Sequence, residues 1–412
     1  MAPTMRLARG SAIVVALLLA TALAQGQDRG PVKIGFIYTN TGPLAQLGLD
    51  MRDGFLQYWT EAGNRAGGRR VEILAEAVGT NKPDEGLTKA RKLVERDGAH
   101  VLGGIIETPV AYALRSYVIE KKMPLVIMNA GADGLTQKQR SDFIFRSSFS
   151  NSQASHPLGE WAYQHGYRRM VLLGSDWAPG HEHIGSVGRT FVKAGGQVIQ
   201  EVYPPVGAPD FAPYLSQIRR DADVVALAIF GSDALRVLTQ YAELGLKDKI
   251  PIIGKYGITD EAFLQKLGDA ALGIVAAGQW SAALDNPVNR RVREAFEAKH
   301  KRAMTLTVEQ AYVGAQMIAK ALETSKGEVE NLEAFLAALR NVEVEGPRGK
   351  VRLDAFHNPV HTVSMFRTER KDGMLQNTPI ASYPNVSQFW TWPPEEYMAL
   401  PSYIEMKGKW AK

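Results

Sequence analysis

The sequence predicts an α/β protein built from two parallel sheets, each with helices on both faces. Three observations predict it. Short apolar runs of strand length alternate with amphipathic stretches of helical length. The alternation comes in two successive series. A 45% hydrophobic content over 412 residues suffices to bury a large core in two or three domains.

The first series opens with a strand over 32–38, an apolar run that ends at the turn signal Thr41-Gly42-Pro43. A helix over 44–66 follows, then a strand at 71–77 and a helix at 83–97 that starts on Pro83. Next come a strand at 101–105, a helix at 109–122 and a strand at 125–129. Thr108-Pro109 offers the third helix an N-cap followed by proline at its first position. The second series begins with a helix at 152–165 and a strand at 169–174. It continues as helix 180–194, strand 197–203, helix 211–220 and strand 224–230, and then as helix 233–245, strand 250–254, helix 261–267 and strand 273–278. Two longer helices are predicted at 287–300 and 308–324, the latter opened by Thr307 and Gln310 as a capping box. Strands at 350–353 and 361–367 follow, and 376–412, rich in Pro, Tyr and Trp, reads as an irregular wrapping tail.

Composition narrows the function classes. The formal charge is +5 with a pI near 9.1, but Lys and Arg are scattered among nearly as many acids and form no stripe, which argues against a nucleic-acid partner. Arg6 and Arg9 precede an apolar run over 12–24 that ends in Ala22-Leu23-Ala24, the pattern of a cleavable secretory signal. The run is shorter than the ~20 residues of a spanning helix, so no stable membrane insertion is expected after cleavage. Loss of the two arginines takes +5 to +3. With no cysteine there is neither a disulfide framework nor a lipid-modified cysteine at the export site, and the expected product is free in the periplasm.

In open parallel α/β sheets, ligands bind at the carboxyl ends of strands, where loops enter helix N-termini. Three such loops in the first series are 39–45, 103–109 and 129–132. They supply Asn40 and, just beyond, Leu47; then Glu107 and Thr108; then Asn129, Ala130 and Gly131. Backbone N–H groups, a hydroxyl and an amide beside a positive helix terminus suit a carboxylate. On the second series the matching exits supply Trp177 and Pro179, Phe230, and Lys255 with Tyr256: rings for a planar or apolar solute and a cation for an anion. The plainer alternative is that Thr108 only caps its helix and the rings only fill the core.

Catalytic patterns are missing. There is no G-x-S-x-G elbow, P-loop, HExxH or dinucleotide fingerprint. His181-Glu182-His183 is the one histidine cluster, but i, i+2 spacing turns the rings to different sides of a helix, which opposes a metal site. The pairs Asp260-Glu261 and Glu395-Glu396 read as solvated or helix-start acids. No enzyme activity, cofactor or metal is expected.

A set of ordered motifs goes further. Ile34-Gly35 precedes Thr41-Gly42-Pro43 and Gly48; Lys92-Leu93-Val94 precedes Gly103-Gly104; Pro124-Leu125-Val126 precedes Asn129-Ala130, and Phe145-Arg146-Ser147 follows. Ala194-Gly195-Gly196, Asp210-Phe211, Ala222-Asp223-Val224-Val225, Leu244-Gly245-Leu246, Ala271-Leu272-Gly273, Ala321-Leu322-Glu323 and Arg348-Gly349-Lys350 complete the series. In this order they resemble the type I periplasmic binding proteins of the branched-chain amino-acid ABC-importer family.

The resemblance implies two Rossmann-like lobes joined by three hinge crossings, near 146–151, 278–280 and 341–345, with a ligand cleft between them. Lobe 1 is then 31–146 with 279–341, lobe 2 is 147–278 with 342–375, and 376–412 is a tail packed on lobe 2. It also implies a monomer that captures a small-molecule solute by cleft closure and hands it to an ABC importer permease. The residue matching Thr108, with groups at Asn129 and Gly131, would hold the solute carboxylate. Tyr256 falls where the family's amino-acid binders carry an acid for the ligand ammonium, and burying an ammonium unpaired costs several kcal/mol. Asp176, Glu107 or Asp233 stand as substitutes. The stretch 176–181 is similar to a branch that takes up aromatic acids, so the expected solute is a non-amino-acid carboxylate, aromatic acids included, with Tyr256 and Trp177 as apolar walls. An amino-acid binder of the same family and a ligand sensor using the same fold remain alternatives.

Overall fold

Two sheets carry the chain, described over residues 29–411 of a computed structural model. The expected signal, 1–24, lies outside the described residues. The first sheet is assembled from β1 (Val32–Thr41), α1 (Ala45–Glu61), β2 (Arg65–Ala66), β3 (Arg69–Gly79), α2 (Pro83–Arg91), β4 (Val101–Gly104), α3 (Thr108–Glu120), β5 (Leu125–Ile127) and β6 (Ile144–Arg146). Its order is β2-β3-β1-β4-β5-β6, parallel from β3 to β6. Val32, Ile34 and Phe36 on β1 are fully buried, as a strand covered on both faces requires.

The second sheet follows from α4 (Asn151–Gln164), β7 (Arg169–Gly174), α5 (Ala178–Ala194), β8 (Gln197–Val202), α6 (Ala212–Leu215), β9 (Val224–Ala228), α7 (Ser232–Glu243), β10 (Ile252–Lys255), α8 (Leu264–Leu267) and β11 (Val275–Gly278). After it come α9 (Pro287–His300), α10 (Leu306–Thr324), α11 (Leu332–Arg340), β12 (Glu343–Gly346), β13 (Gly349–Leu353), β14 (Pro359–Lys371), β15 (Met374–Val386) and α12 (Pro394–Ala399). The strand order is β12-β13-β14-β11-β10-β9-β7-β8, with β15 on β14. The mixed α/β, two-lobe architecture expected from the sequence is what the chain adopts.

Several local expectations change. The helix expected over 211–220 stops at Leu215, because the Arg219 N–H turns to the Gln200 carboxamide at 2.9 Å instead of a helical carbonyl. Residues 376–386 are not irregular but belong to β15, which pairs antiparallel with β14. Its prolines are tolerated because it borders only one strand. Beyond it, Phe389, Tyr397 and Tyr403 form a small core of their own; the Tyr397 hydroxyl donates to Ser152 at 3.2 Å and Tyr403 pairs with His156 at 2.6 Å, which ties this segment to α4. Thr307 and Gln310 make no capping box: α10 starts at Leu306 with Thr305 as its N-cap.

At the hinge, Arg348 is fully buried against Glu309 of α10, with two contacts of 2.6 Å. Its remaining nitrogen donates to the Ser147 and Ser148 carbonyls at 3.2 and 2.9 Å. One bidentate pair thus fastens the β12–β13 turn, α10 and the first crossing together.

Candidate functional site

Between the sheets lies a cleft whose walls come from opposite lobes. Its lips touch: the Ser232 N–H reaches the Pro43 carbonyl at 3.5 Å. Gly231 sits there at φ +65°, and a Cβ on it would stand 2.6 Å from the same carbonyl. The cleft is therefore closed.

The lobe 1 wall is made of small polar groups at strand exits. Thr108 is the first residue of α3, one position inside the helix, with Glu107 as the N-cap. The capping-only reading of Thr108 fails on this geometry, because its buried Oγ1 makes no hydrogen bond among the described residues. An unpartnered hydroxyl at a helix N-terminus is prepared for an anion. Asn129 lines the same wall and donates to Gln310 at 2.7 Å, which leaves its carbonyl oxygen for the cleft. Gly131 completes it, where a Cβ would stand 2.0 Å from Asn151 Oδ1, so a larger residue would have to displace that amide.

The lobe 2 wall is made of rings and one cation. Trp177 precedes α5, packs against the lobe 1 core, and leaves its buried Nε1 without a partner among the described residues. Pro179, Phe230 and Tyr256 lie beside it on the cleft. The Tyr256 hydroxyl is directed away, to Glu261 and to Asn377, so the ring presents carbon to the cleft. Lys255, at the end of β10, is 2% exposed. Its ammonium donates to the Tyr256 carbonyl at 2.9 Å and lies 4.4 Å from the Phe149 ring centroid, and among the described residues no carboxylate stands within 4.0 Å of it. Burial, reinforced by the Arg348 charge, brings this amine down to about 7.

Most of the expected contact residues meet here: Leu47, Thr108, Asn129 and Gly131 from lobe 1, and Trp177, Pro179, Phe230, Lys255 and Tyr256 from lobe 2. Three do not line the cleft. Asn40 is exposed to solvent. Ala130 packs into the core beneath α3. Glu107 turns back to the Thr39 hydroxyl at 3.2 Å and the Asn81 N–H at 2.6 Å. The other substitutes for an ammonium partner are also elsewhere: Asp176 pairs with Lys407 and His181, and Asp233 with Arg236.

Strand-exit reasoning missed Phe149 and Asn151 on the first crossing, Thr307 at the start of α10, and His183 and Asp260. Asp260 is buried and Glu261 half-buried rather than solvated. Burial and its neighbour's charge push Asp260 well above the usual carboxylate range, while burial takes Glu261 up to about 7. Asp260 accepts from the Ala262 N–H at 2.9 Å and from the Leu306 backbone. The two histidines separate as their spacing requires: the His181 ring contacts Asp176 at 3.1 Å, and the His183 ring contacts Ser155 at 3.2 Å on the cleft side.

Comparisons with known proteins bear on the family and the fold. A model of the family described as periplasmic binding protein matches residues 31–373. The chain is 29% identical over 346 residues to Leu/Ile/Val-binding protein homolog 6 of Brucella suis, covering 83% of this chain and 88% of that protein. Among solved structures, an ABC transporter substrate-binding protein from Sphaerobacter thermophilus superposes with a TM-score of 0.83 at 38% identity, covering 87% of this chain and 99% of that one. A solute-binding protein of an ABC transporter from Rhodopseudomonas palustris BisB5, solved in complex with 3,4-dihydroxybenzoic acid, gives 0.83 at 28% identity, covering 87% and 98%.

Proposed function

The chain belongs to the periplasmic binding protein family, and from that premise we propose that it captures a small carboxylate, aromatic acids foremost, and delivers it to an ABC importer permease after export to the periplasm. Its relatives are substrate-binding proteins of ABC transporters, so the family role is binding and not catalysis.

The observation that carries the proposal is the state of Lys255: a buried ammonium lining the same cleft as Thr108, with no carboxylate within 4.0 Å among the described residues. A buried cation without a counter-ion is unfavourable, and an anionic solute removes that cost. The carboxylate then takes the Thr108 hydroxyl and the α3 N-terminus from one lobe and Lys255 from the other. The carbon faces of Trp177, Phe230 and Tyr256 suit a planar ring. Only closure brings both sets together, so solute shifts the open–closed equilibrium, and the closed form is what the permease reads. The relative solved with a dihydroxybenzoic acid supports this solute class.

A second reading, an α-amino acid with its ammonium on Asp260, has one observation behind it: Asp260 lines the cleft. Lys255 opposes it, since a second cation in the same dry space repels an ammonium. Calorimetry with benzoate, 4-hydroxybenzoate and leucine separates the two. Micromolar or tighter binding of the aromatic acids with no response to leucine is expected; the reverse pattern rejects the carboxylate proposal.

A further inference from the structure

Directly behind the cleft, two largely buried acids from opposite lobes come together beside a cavity that opens to the surface. Asp133 belongs to the lobe 1 segment between β5 and β6, and Glu182 to α5 of lobe 2. They are 6% exposed each. The Asp133 N–H donates to the Glu182 oxygens at 3.3 and 3.4 Å, and the Asn151 amide donates to Glu182 at 2.6 Å. Asp133 takes the Ser152 N–H at 3.0 Å on one oxygen, while the other has no partner.

No cation neutralises the pair within 4.0 Å among the described residues. Arg146, from lobe 1, faces both acids but spends its guanidinium on Thr136, Asn358 and the Ala132 carbonyl. Arg189, also on α5, stacks on Tyr403 at 4.1 Å and donates to the Pro401 carbonyl. The remaining neighbours are Tyr112 from α3 and Tyr397 and Tyr403 from the C-terminal segment, whose hydroxyls burial and these acids hold in the neutral form. Lys138 and Glu405 stand at the outer opening of this space.

We propose that Asp133 and Glu182 form a proton-binding site completed by closure, so that capturing solute takes up a proton. This regulates the cleft of the proposed function and rests on that reading for its solute, though not for its chemistry. Apart, on opened lobes, each carboxylate is wetted and ionised. Together and largely buried they cannot both keep their charge, and the pair takes up a proton. Burial accordingly takes Asp133 up to about 6, and burial plus the Asp133 charge takes Glu182 well above the usual range. Asn151 is the link to the cleft, since it lines the cleft with the same side chain that donates to Glu182.

The sign follows from linkage. The closed form binds more protons than the open form between the ordinary carboxylate range and the raised one, so solute affinity is highest at the acid end and falls as pH rises. The fall is at most about tenfold per pH unit for one proton. Lys255 contributes an uptake of its own when an anion arrives beside it, so the pair must be tested separately from Lys255.

The experiment is calorimetry with 4-hydroxybenzoate at about pH 6, in buffers of different ionisation heat that report proton uptake through linkage, on the wild type, Glu182→Gln and Lys255→Met. Glutamine removes the ionisable group while keeping a carbonyl oxygen that can accept from Asn151. The expected result is uptake in the wild type, reduced by up to one proton in Glu182→Gln, with Lys255→Met still showing the Glu182-dependent part. Equal uptake in the wild type and Glu182→Gln overturns the inference. If Glu182→Gln fails to fold, Asp133→Asn takes its place with the same expectation. If no aromatic acid binds, the solute reading fails, and the pair is judged by small-angle scattering of the ligand-free protein between acid and neutral pH. Compaction at acid pH that Glu182→Gln shows at both supports the site, and a radius of gyration independent of pH overturns it.

Discussion

The two walls of the cleft solve different problems. The lobe 1 wall is built from Thr108, Asn129 and Gly131, short groups fixed by the backbone and by Gln310. The lobe 2 wall is built from Trp177, Phe230 and Tyr256 around the buried Lys255. The first wall offers hydrogen-bond geometry at little electrostatic cost. The second carries a desolvated charge that it does not neutralise itself, so the second wall gains more from the solute. On the proposed function, specificity for anions therefore resides in lobe 2, although a donor site alone would place it at the helix N-terminus of lobe 1.

The comparison presumes that the walls are held in register at the hinge, and the largest expected effect comes from breaking that hold. Arg348→Met leaves Glu309 buried without its partner and is expected to lower stability by about 3–5 kcal/mol, read by chemical denaturation. Lys255→Met tests the asymmetry itself: binding of an aromatic acid should weaken by about 2–5 kcal/mol in calorimetry. The same variant has a pH signature without ligand. Burial holds folded Lys255 down at about 7, below the unfolded lysine range, so the unfolded chain binds more protons in between. Wild-type stability therefore gains over Lys255→Met as pH rises from about 7 toward the ordinary lysine value, which paired thermal melts would read. Thr108→Val removes the hydroxyl of the other wall and should cost about 1.5–3 kcal/mol of binding, the worth of a hydrogen bond to a charged group. Trp177→Phe keeps a ring and deletes the unpartnered N–H, with about 0.5–1.5 kcal/mol expected if that N–H meets the solute. Equal losses for Lys255→Met and Thr108→Val would remove the asymmetry between the walls.

The parallel strands were legible because strands covered on both faces are near-continuous apolar runs. β7 over Arg169–Gly174 and α9 over Pro287–His300 fall where the sequence puts them. β15 was not legible: Pro379 and Pro384 and its polar residues deny it a strand pattern, and an edge position on β14 is what tolerates them. α11 did carry a signal, with Asn331 as N-cap and Leu332, Phe335, Leu336 and Leu339 on one face. In the cleft, strand exits pointed to Thr108, Asn129 and Lys255 because topology puts those ends together. Phe149, Asn151 and Thr307 arrive from a crossing and from a helix distant in sequence, which no local pattern encodes. Asp260-Glu261 misled for a related reason: a charged pair after a strand looks solvated until Leu306 and Asn377 close over it.

The most direct test of the central claim is a diffraction structure of the complex with 4-hydroxybenzoate. The account predicts the carboxylate within hydrogen-bond distance of Thr108 Oγ1, with Lys255 Nζ beside it and the ring between Trp177 and Tyr256. A solute whose carboxylate lies away from both Thr108 and Lys255 would contradict it.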